Sequence, residues 1–284
     1  METSKKVRPS KADFLNAVQR FPQSRTNDEM HALEKILNSF TKDPQSIQEI
    51  LSSMKTNPGV ALMLSVLLTK SVNNVFCSLP KEGQDEVFGL LAAGLLDHRD
   101  QTQVLLKISE ALASAFALSE KKIDEVAAVM AILAKGLQMD DRKDFLVSLV
   151  VLQSVADLSP DSFKPEYIDH LSLVVDKVFS SPYDKENSKI YIACLGCLAS
   201  FTRNFKVGDS QKISDNLNKL LSILEKVSVT ESDFMREQLE EMEVIITNTF
   251  ENASEKLDEG ADLGAAGKSL ALFAVKIAFK PEYR

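Results

Sequence analysis

Apolar residues recur at steps of three and four almost from end to end of this chain, and no other feature restricts its folding as much. Met30, Leu33, Ile36, Leu37 and Phe40 follow the pattern. So do Ile47, Ile50, Leu51 and Met54, and so do Ile213, Leu217, Leu220, Leu221 and Leu224. At about 3.6 residues per turn such positions fall on one stripe, so each segment reads as a helix that buries one face. Alternation of apolar and polar residues, the mark of a half-buried strand, is nearly absent. The run 147–152 is strand-like alone, but a helical pattern continues through it over 144–156.

The punctuation agrees with that spacing. Ten glycines and nine prolines in 284 residues are too few for a many-turned β fold. Each proline, at 9, 22, 44, 58, 80, 160, 165, 182 and 281, fits an element boundary, where its missing N–H costs nothing. Thr26 with Glu29 forms a capping-box pattern, and Asp43-Pro44 places a cap before a proline suited to the first helical position. Asn57-Pro58 and Ser159-Pro160 separate one helix from the next. These signals predict about thirteen helices. They cover 10–21, 26–40, 44–56, 58–78, 81–97, 101–117, 120–138, 141–157, 164–180, 185–205, 210–227, 230–256 and 262–279.

Taken in pairs from 58, 101, 141, 185 and 230, the helices repeat every 40–45 residues or so, and this rhythm resembles HEAT and armadillo units. The resemblance lies in helix length and spacing. No consensus repeats at fixed offsets: the tetratricopeptide pattern needs a Trp, which the chain lacks, and the ankyrin Thr-Pro-Leu-His tetrapeptide is absent. Segments 58–78, 87–96, 145–156 and 190–202 are apolar on most faces, as helices covered on both sides would be. Segments 210–227 and 230–256 are two-faced, as an exposed end would be. The expected fold is therefore all-α, with antiparallel helix pairs in a HEAT/armadillo-like right-handed superhelical stack. An irregular helical globule is the alternative. The expected organisation is a basic flexible tail over 1–9 and a single helical domain over 10–284. Acidic helices over 230–262 and a capping helix over 262–280 close that domain.

Three cysteines imply no disulfide framework and point to a reducing compartment. The N-terminal residues carry no apolar core of a secretory signal. The longest uncharged runs, 56–69, 190–202 and 145–156, hold 14, 13 and 12 residues. All are shorter than the ~20 residues that span a bilayer, so no membrane span is expected. A cytoplasmic location is expected, with the nucleus second.

The net charge of −8 is a sum of unlike parts. Residues 1–25 hold Lys5, Lys6, Arg8, Lys11, Arg20 and Arg25 against Glu2 and Asp13, a balance of +4. Residues 231–262 hold eleven acidic groups against Arg236 and Lys256, a balance of −9. The acidic excess excludes a globally basic nucleic-acid binder, and no aromatic residues alternate with basic ones as in a base-stacking platform. The charged ends supply the candidate partner-binding residues: Lys5, Lys6 and Arg8 in the head, and Glu237, Glu240 and Glu241 in the acidic segment. Such faces dock oppositely charged segments, or simply solvate a helix.

No catalytic, metal or cofactor constellation is legible. Cys194-Leu195-Gly196-Cys197 has CxxC spacing, yet a zinc site needs four ligands, and the remaining cysteine, Cys77, and the histidines, His31, His98 and His170, are scattered. The pair lies inside an apolar helical run and reads as buried core. Gly260 to Ser269 evokes a phosphate loop, but Asp262 stands where that motif requires glycine. A helix stop followed by a small-residue helix start is the reading. The last helix, with Leu270, Leu272, Phe273, Val275, Ile277 and Phe279 fringed by Lys268, Lys276 and Lys280, reads as a cap on the final core layer. One glycosylation sequon, Asn252-Ala253-Ser254, sits in an acidic helical context and carries little weight.

The expectation is a non-enzymatic helical scaffold or adaptor that binds another protein through a groove or a charged helix face, without a cofactor. The alternatives are a helical carrier of an apolar ligand and an RNA-binding helical-repeat or nucleoprotein-like protein. Nucleic acid is the less expected partner.

Overall fold

Side chains at the helix ends set the boundaries of this fold. A computed structural model describes residues 9–138, 140–162, 188–204, 210–228 and 236–278. Within the later helices it describes the backbone alone at 188, 189, 191, 202–204, 210, 222–228, 236–243, 246, 265 and 273–278. Twelve α-helices and five short 3-10 turns make up the secondary structure of the described residues, and no strand occurs among them. The chain is all-α, as the apolar spacing predicts. The predicted helix at 164–180 lies outside the described residues.

Helix α1 (Lys11–Arg20) opens with a full capping box, Asp13 N–H donating to Ser10 Oγ at 3.1 Å and Ser10 N–H to Asp13 Oδ2 at 3.2 Å. Hydrogen bonds from the Ser10 side chain and backbone hold the Asp13 carboxyl below its usual range. Helix α2 (Asn27–Phe40) keeps half of its predicted box: Glu29 N–H donates to Thr26 Oγ1, while the Glu29 carboxylate takes Arg20 at 2.6 Å. Helix α3 (Ser46–Thr56) starts two residues late, because Asp43 Oδ1 accepts from Gln45 N–H and folds 43–45 into a turn. Helix α4 (Ala61–Val75) is flanked by 3-10 turns at Pro58–Val60 and Phe76–Ser78. Helices α5 (Lys81–Asp97) and α6 (Thr102–Ala117) match expectation to within a residue.

The helix predicted over 120–138 is shorter. Lys122 N–H donates to the Glu125 carboxylate at 2.9 Å and winds Ile123–Glu125 into a 3-10 turn, so α7 runs only over Ala127–Gly136. Helix α8 (Arg142–Leu158) is capped by Asp141, whose Oδ1 accepts from Lys143 N–H at 2.7 Å. Then follow α9 (Ser188–Asn204), α10 (Ser210–Ser228), α11 (Arg236–Asp258) and α12 (Gly264–Ala278).

The chain divides into two compact units, Met1–Lys135 and Gly136–Arg284. In the first, α1 packs on α2, α3 on both α4 and α5, and α6 on both α4 and α5. Phe14 and Phe40 stack with centroids 3.8 Å apart. Phe88 stands edge-on to Phe76 at 5.6 Å and tilted to Phe116 at 4.7 Å, joining three successive helical segments. All five rings are essentially buried. A hydroxyl cluster closes the end of α2: Ser71 Oγ meets Ser46 Oγ and donates to Thr41 O, and Asn74 Nδ2 donates to Thr41 Oγ1 at 3.2 Å.

Among the described residues one segment, Pro58–Ser78, is long and apolar enough to cross a membrane by length and composition, with a mean hydropathy of 1.5. The uncharged-run criterion passes over it because Lys70 interrupts it. Here it is the core helix of the first unit. Leu64, Leu68 and Val72 are buried as α4 packs against α3 and α6.

In the second unit α9 is the central element, packing on α8, α10 and α11, while α12 packs on α10. From Ile192 to Phe201 every side chain that α9 presents is buried. A helix covered on all sides must match its polar groups internally, which α9 does through its neighbours.

Candidate functional site

The charged residues that the sequence nominates are only partly placed. Lys5, Lys6 and Arg8 lie outside the described residues. Glu237, Glu240 and Glu241 fall on the first turns of α11, where the backbone alone is described. Farther along α11 the side chains are defined, and they divide sharply. Ile245, Thr249, Asn252, Ala253 and Lys256 are buried, whereas Glu251, Glu255, Asp258 and Glu259 are exposed. Positions 251, 255 and 258 follow one helix face, and Asp262 in the next turn is exposed as well. This acidic ridge can attract a cationic segment at short range, with a reach limited by salt to about 8 Å. Lys256 is tied down beside it, its ammonium donating to Glu259 Oε2 at 2.8 Å.

The buried face of α11 does different work. Asn252 Nδ2 donates to Ala199 O of α9 at 2.8 Å, and from the α10 side Asn216 Nδ2 donates to Leu198 O at 2.7 Å. Two helices thus clamp consecutive carbonyls of a third. A helical carbonyl has a second lone pair, so it accepts the amide without giving up its own helical bond. The belt continues around α9, where Ser200 Oγ donates to Gly196 O at 3.0 Å and Cys197 Sγ to Leu149 O at 3.1 Å on α8.

Gly196 sits against the Gln153 side chain, and a Cβ there would lie 2.5 Å from Gln153 Oε1. Sequence reasoning missed both asparagines. Their signal is positional: a polar amide inside an apolar helical stripe is a buried donor in search of an acceptor.

Cys194 and Cys197 are buried core residues, as the apolar run around them predicts. Burial pushes both thiols far above the ordinary range, and for Cys197 the neighbouring Cys194 and Asp157 add to it. Neither is a nucleophile in this state, since the thiolate is the reactive form. Cys77 is exposed.

The Gly260–Ser269 stretch is a helix stop and start. Ala261 N–H donates to Lys256 O, and Gly260 N–H to Leu257 O, with Gly260 at φ 94°. That is a Schellman ending, which needs the left-handed residue that glycine supplies. Asp262 Oδ1 then accepts Gly264 N–H at 2.9 Å, so a carboxylate fills the position a phosphate would need. On α12, Leu270 is buried and Leu272 exposed, and the side chains from Phe273 onward lie outside what is described.

The two described histidines occupy opposite settings. His31 is exposed, with Nδ1 3.7 Å from Glu34. His98 ends α5 and is 4% exposed, and neither ring nitrogen makes a hydrogen bond. Among the described residues no three His, Cys, Asp or Glu side chains converge as a metal site.

Comparison with known proteins returns no match among family models, curated proteins or solved structures.

Proposed function

We propose that this chain is a non-enzymatic scaffold that binds another protein, built as a HEAT/armadillo-like stack of helix pairs and acting in the cytoplasm. One observation carries this reading, the packing of helices two apart in the chain. In the first unit α3 lies on α5 and α4 on α6, while α3 also meets α4 and α5 meets α6. In the second, α9 lies on α11 and α10 on α12, while α9 also meets α10. That neighbour rule belongs to arrays in which each helix pair buries its apolar faces only by stacking on the next pair. Such arrays act through extended outer surfaces rather than enclosed pockets. The acidic ridge at Glu251, Glu255 and Asp258 supports a basic segment as the partner's contact.

The test is affinity capture from the native source with the wild-type chain and an E251K/E255K/D258K variant, its helicity checked by circular dichroism. A partner held by the wild type and lost by the helical variant is expected. Identical capture by both, or none by either, overturns the proposal.

A further inference from the structure

Of the described histidines, His98 is the one whose surroundings give a proton something to do. Three helices converge on it. Its backbone N–H donates to Gly94 O at 3.1 Å and closes α5, and its carbonyl accepts Gln101 N–H at 2.9 Å. Gln101 O in turn accepts Leu105 N–H at 2.8 Å, the first turn of α6. The end of α3 arrives through Lys55, whose ammonium lies 2.6 Å from Asp97 Oδ2. The His98 backbone therefore joins the last turn of α5 to the turn that starts α6, and its ring is buried at that junction.

We propose that His98 is a proton-operated latch on the junction of α3, α5 and α6: a proton taken up by its ring loosens these helix ends. A neutral imidazole carries one donor and one acceptor, and a protonated one carries two donors and a charge. Neither buried ring nitrogen has a partner in hydrogen-bond geometry, and Gln101 is the side chain that would favour the charged ring by hydrogen bonding. The charges acting on it are Asp97 on α5 and Lys55 on α3, with the Gln101 side chain as the polar neighbour ahead of α6. Arg99 and Asp100 follow it in the turn.

Asp97 favours a proton on the ring, but its carboxylate is already held by Lys55. Charging His98 places a second cation beside that pair. The ring must then displace Lys55 from Asp97 or swing out to water. Either move disturbs the backbone bonds that end α5 and begin α6.

The sign follows from burial, which is the largest influence on the ring and lowers its proton affinity below the ordinary 6.5; Asp97 and the Gln101 side chain oppose this and Lys55 adds to it. The unfolded chain then binds this proton more readily than the folded one. The stability contributed by the neutral ring is complete above 6.5 and falls as the pH drops below it.

The test follows the full-length chain by NMR from about pH 7.5 to about pH 5.5, the range in which histidine titrates. It reads the His98 ring signal together with hydrogen exchange at the amides of His98, Gln101 and Leu105. The ring is expected to titrate below 6.5. Exchange, corrected for its intrinsic pH dependence, is expected to accelerate by up to about tenfold per pH unit below that point, the limit for one linked proton. H98Q is expected to abolish the acceleration. A ring that titrates at 6.5 or above, wild-type protection that stays level, or an unchanged slope in H98Q overturns the proposal. Because the first two readings need only the wild-type chain, the outcome stands even if H98Q does not fold.

Discussion

The two units bury helices by different means. The first fills its interior with rings. Phe14 stacks on Phe40, and Phe88 bridges Phe76 and Phe116, so large side chains hold neighbouring helices apart and fill the gaps between them. The ring pairs among the described residues all lie in this unit. In the second, the backbone is approached directly. Asn216 and Asn252 reach carbonyls of α9, Cys197 reaches a carbonyl of α8, and Gly136 leaves no room for a Cβ. An aromatic core is held by area and tolerates imperfect angles, whereas an amide-to-carbonyl core is held by direction.

Four substitutions and one chemical probe separate these modes. The largest effect is expected from F88A, which removes the ring common to two of the three aromatic contacts. A buried Phe→Ala change costs about 3–5 kcal/mol, and urea unfolding together with exchange on α5 and α6 reads the loss. G136A comes next. Its Cβ would lie 1.8 Å from Ser148 Oγ and 2.4 Å from Asp144 O, the latter a backbone atom that cannot rotate away. Overpacking of this kind costs about 1–3 kcal/mol. An α8 whose exchange is unchanged in G136A would contradict the directional account.

N252A is expected to cost about 1 kcal/mol for the lost hydrogen bond, and N216A a similar amount. Their sharper reading is additivity. Both asparagines grip adjacent carbonyls, so a double variant that departs from the sum shows that α9 responds as one piece. The smallest effect is chemical rather than energetic. Thiol labelling of the native chain is expected to modify Cys77 alone, with Cys194 and Cys197 reacting only as the second unit opens. Rapid labelling of all three would mean that α9 is not held shut.

Most of the helices were legible because a three-and-four spacing leaves no other regular structure available. What escaped was whatever depends on a neighbour or on a competing local bond. The box at Ser10 and Asp13 departs from the usual pattern, which has Glu or Gln three residues after the cap. The start of α7 was misplaced because Glu125 bonds back to Lys122, a choice that apolar spacing does not encode. The division near residue 135 has no signal of its own, since helical patterning runs on both sides of it.

The charged residues were legible as composition, and part of the acidic segment does form an exposed ridge. The asparagine clamp was not legible. Asn252 is a poor helix former by propensity, and its acceptor lies 53 residues away. Only the approach of α11 to α9 turns that weakness into a contact.

The Asn252 amide has one further consequence. In Asn252-Ala253-Ser254 the same Nδ2 that donates to Ala199 O is the atom to which a sugar would be joined. The linked nitrogen would keep one N–H, but Asn252 is buried against α9, where a sugar has no room. Glycan attachment and docking of α11 are thus mutually exclusive outcomes for a newly made chain. Whichever comes first denies the other, and a chain carrying a sugar at this position is one in which the second unit never closed.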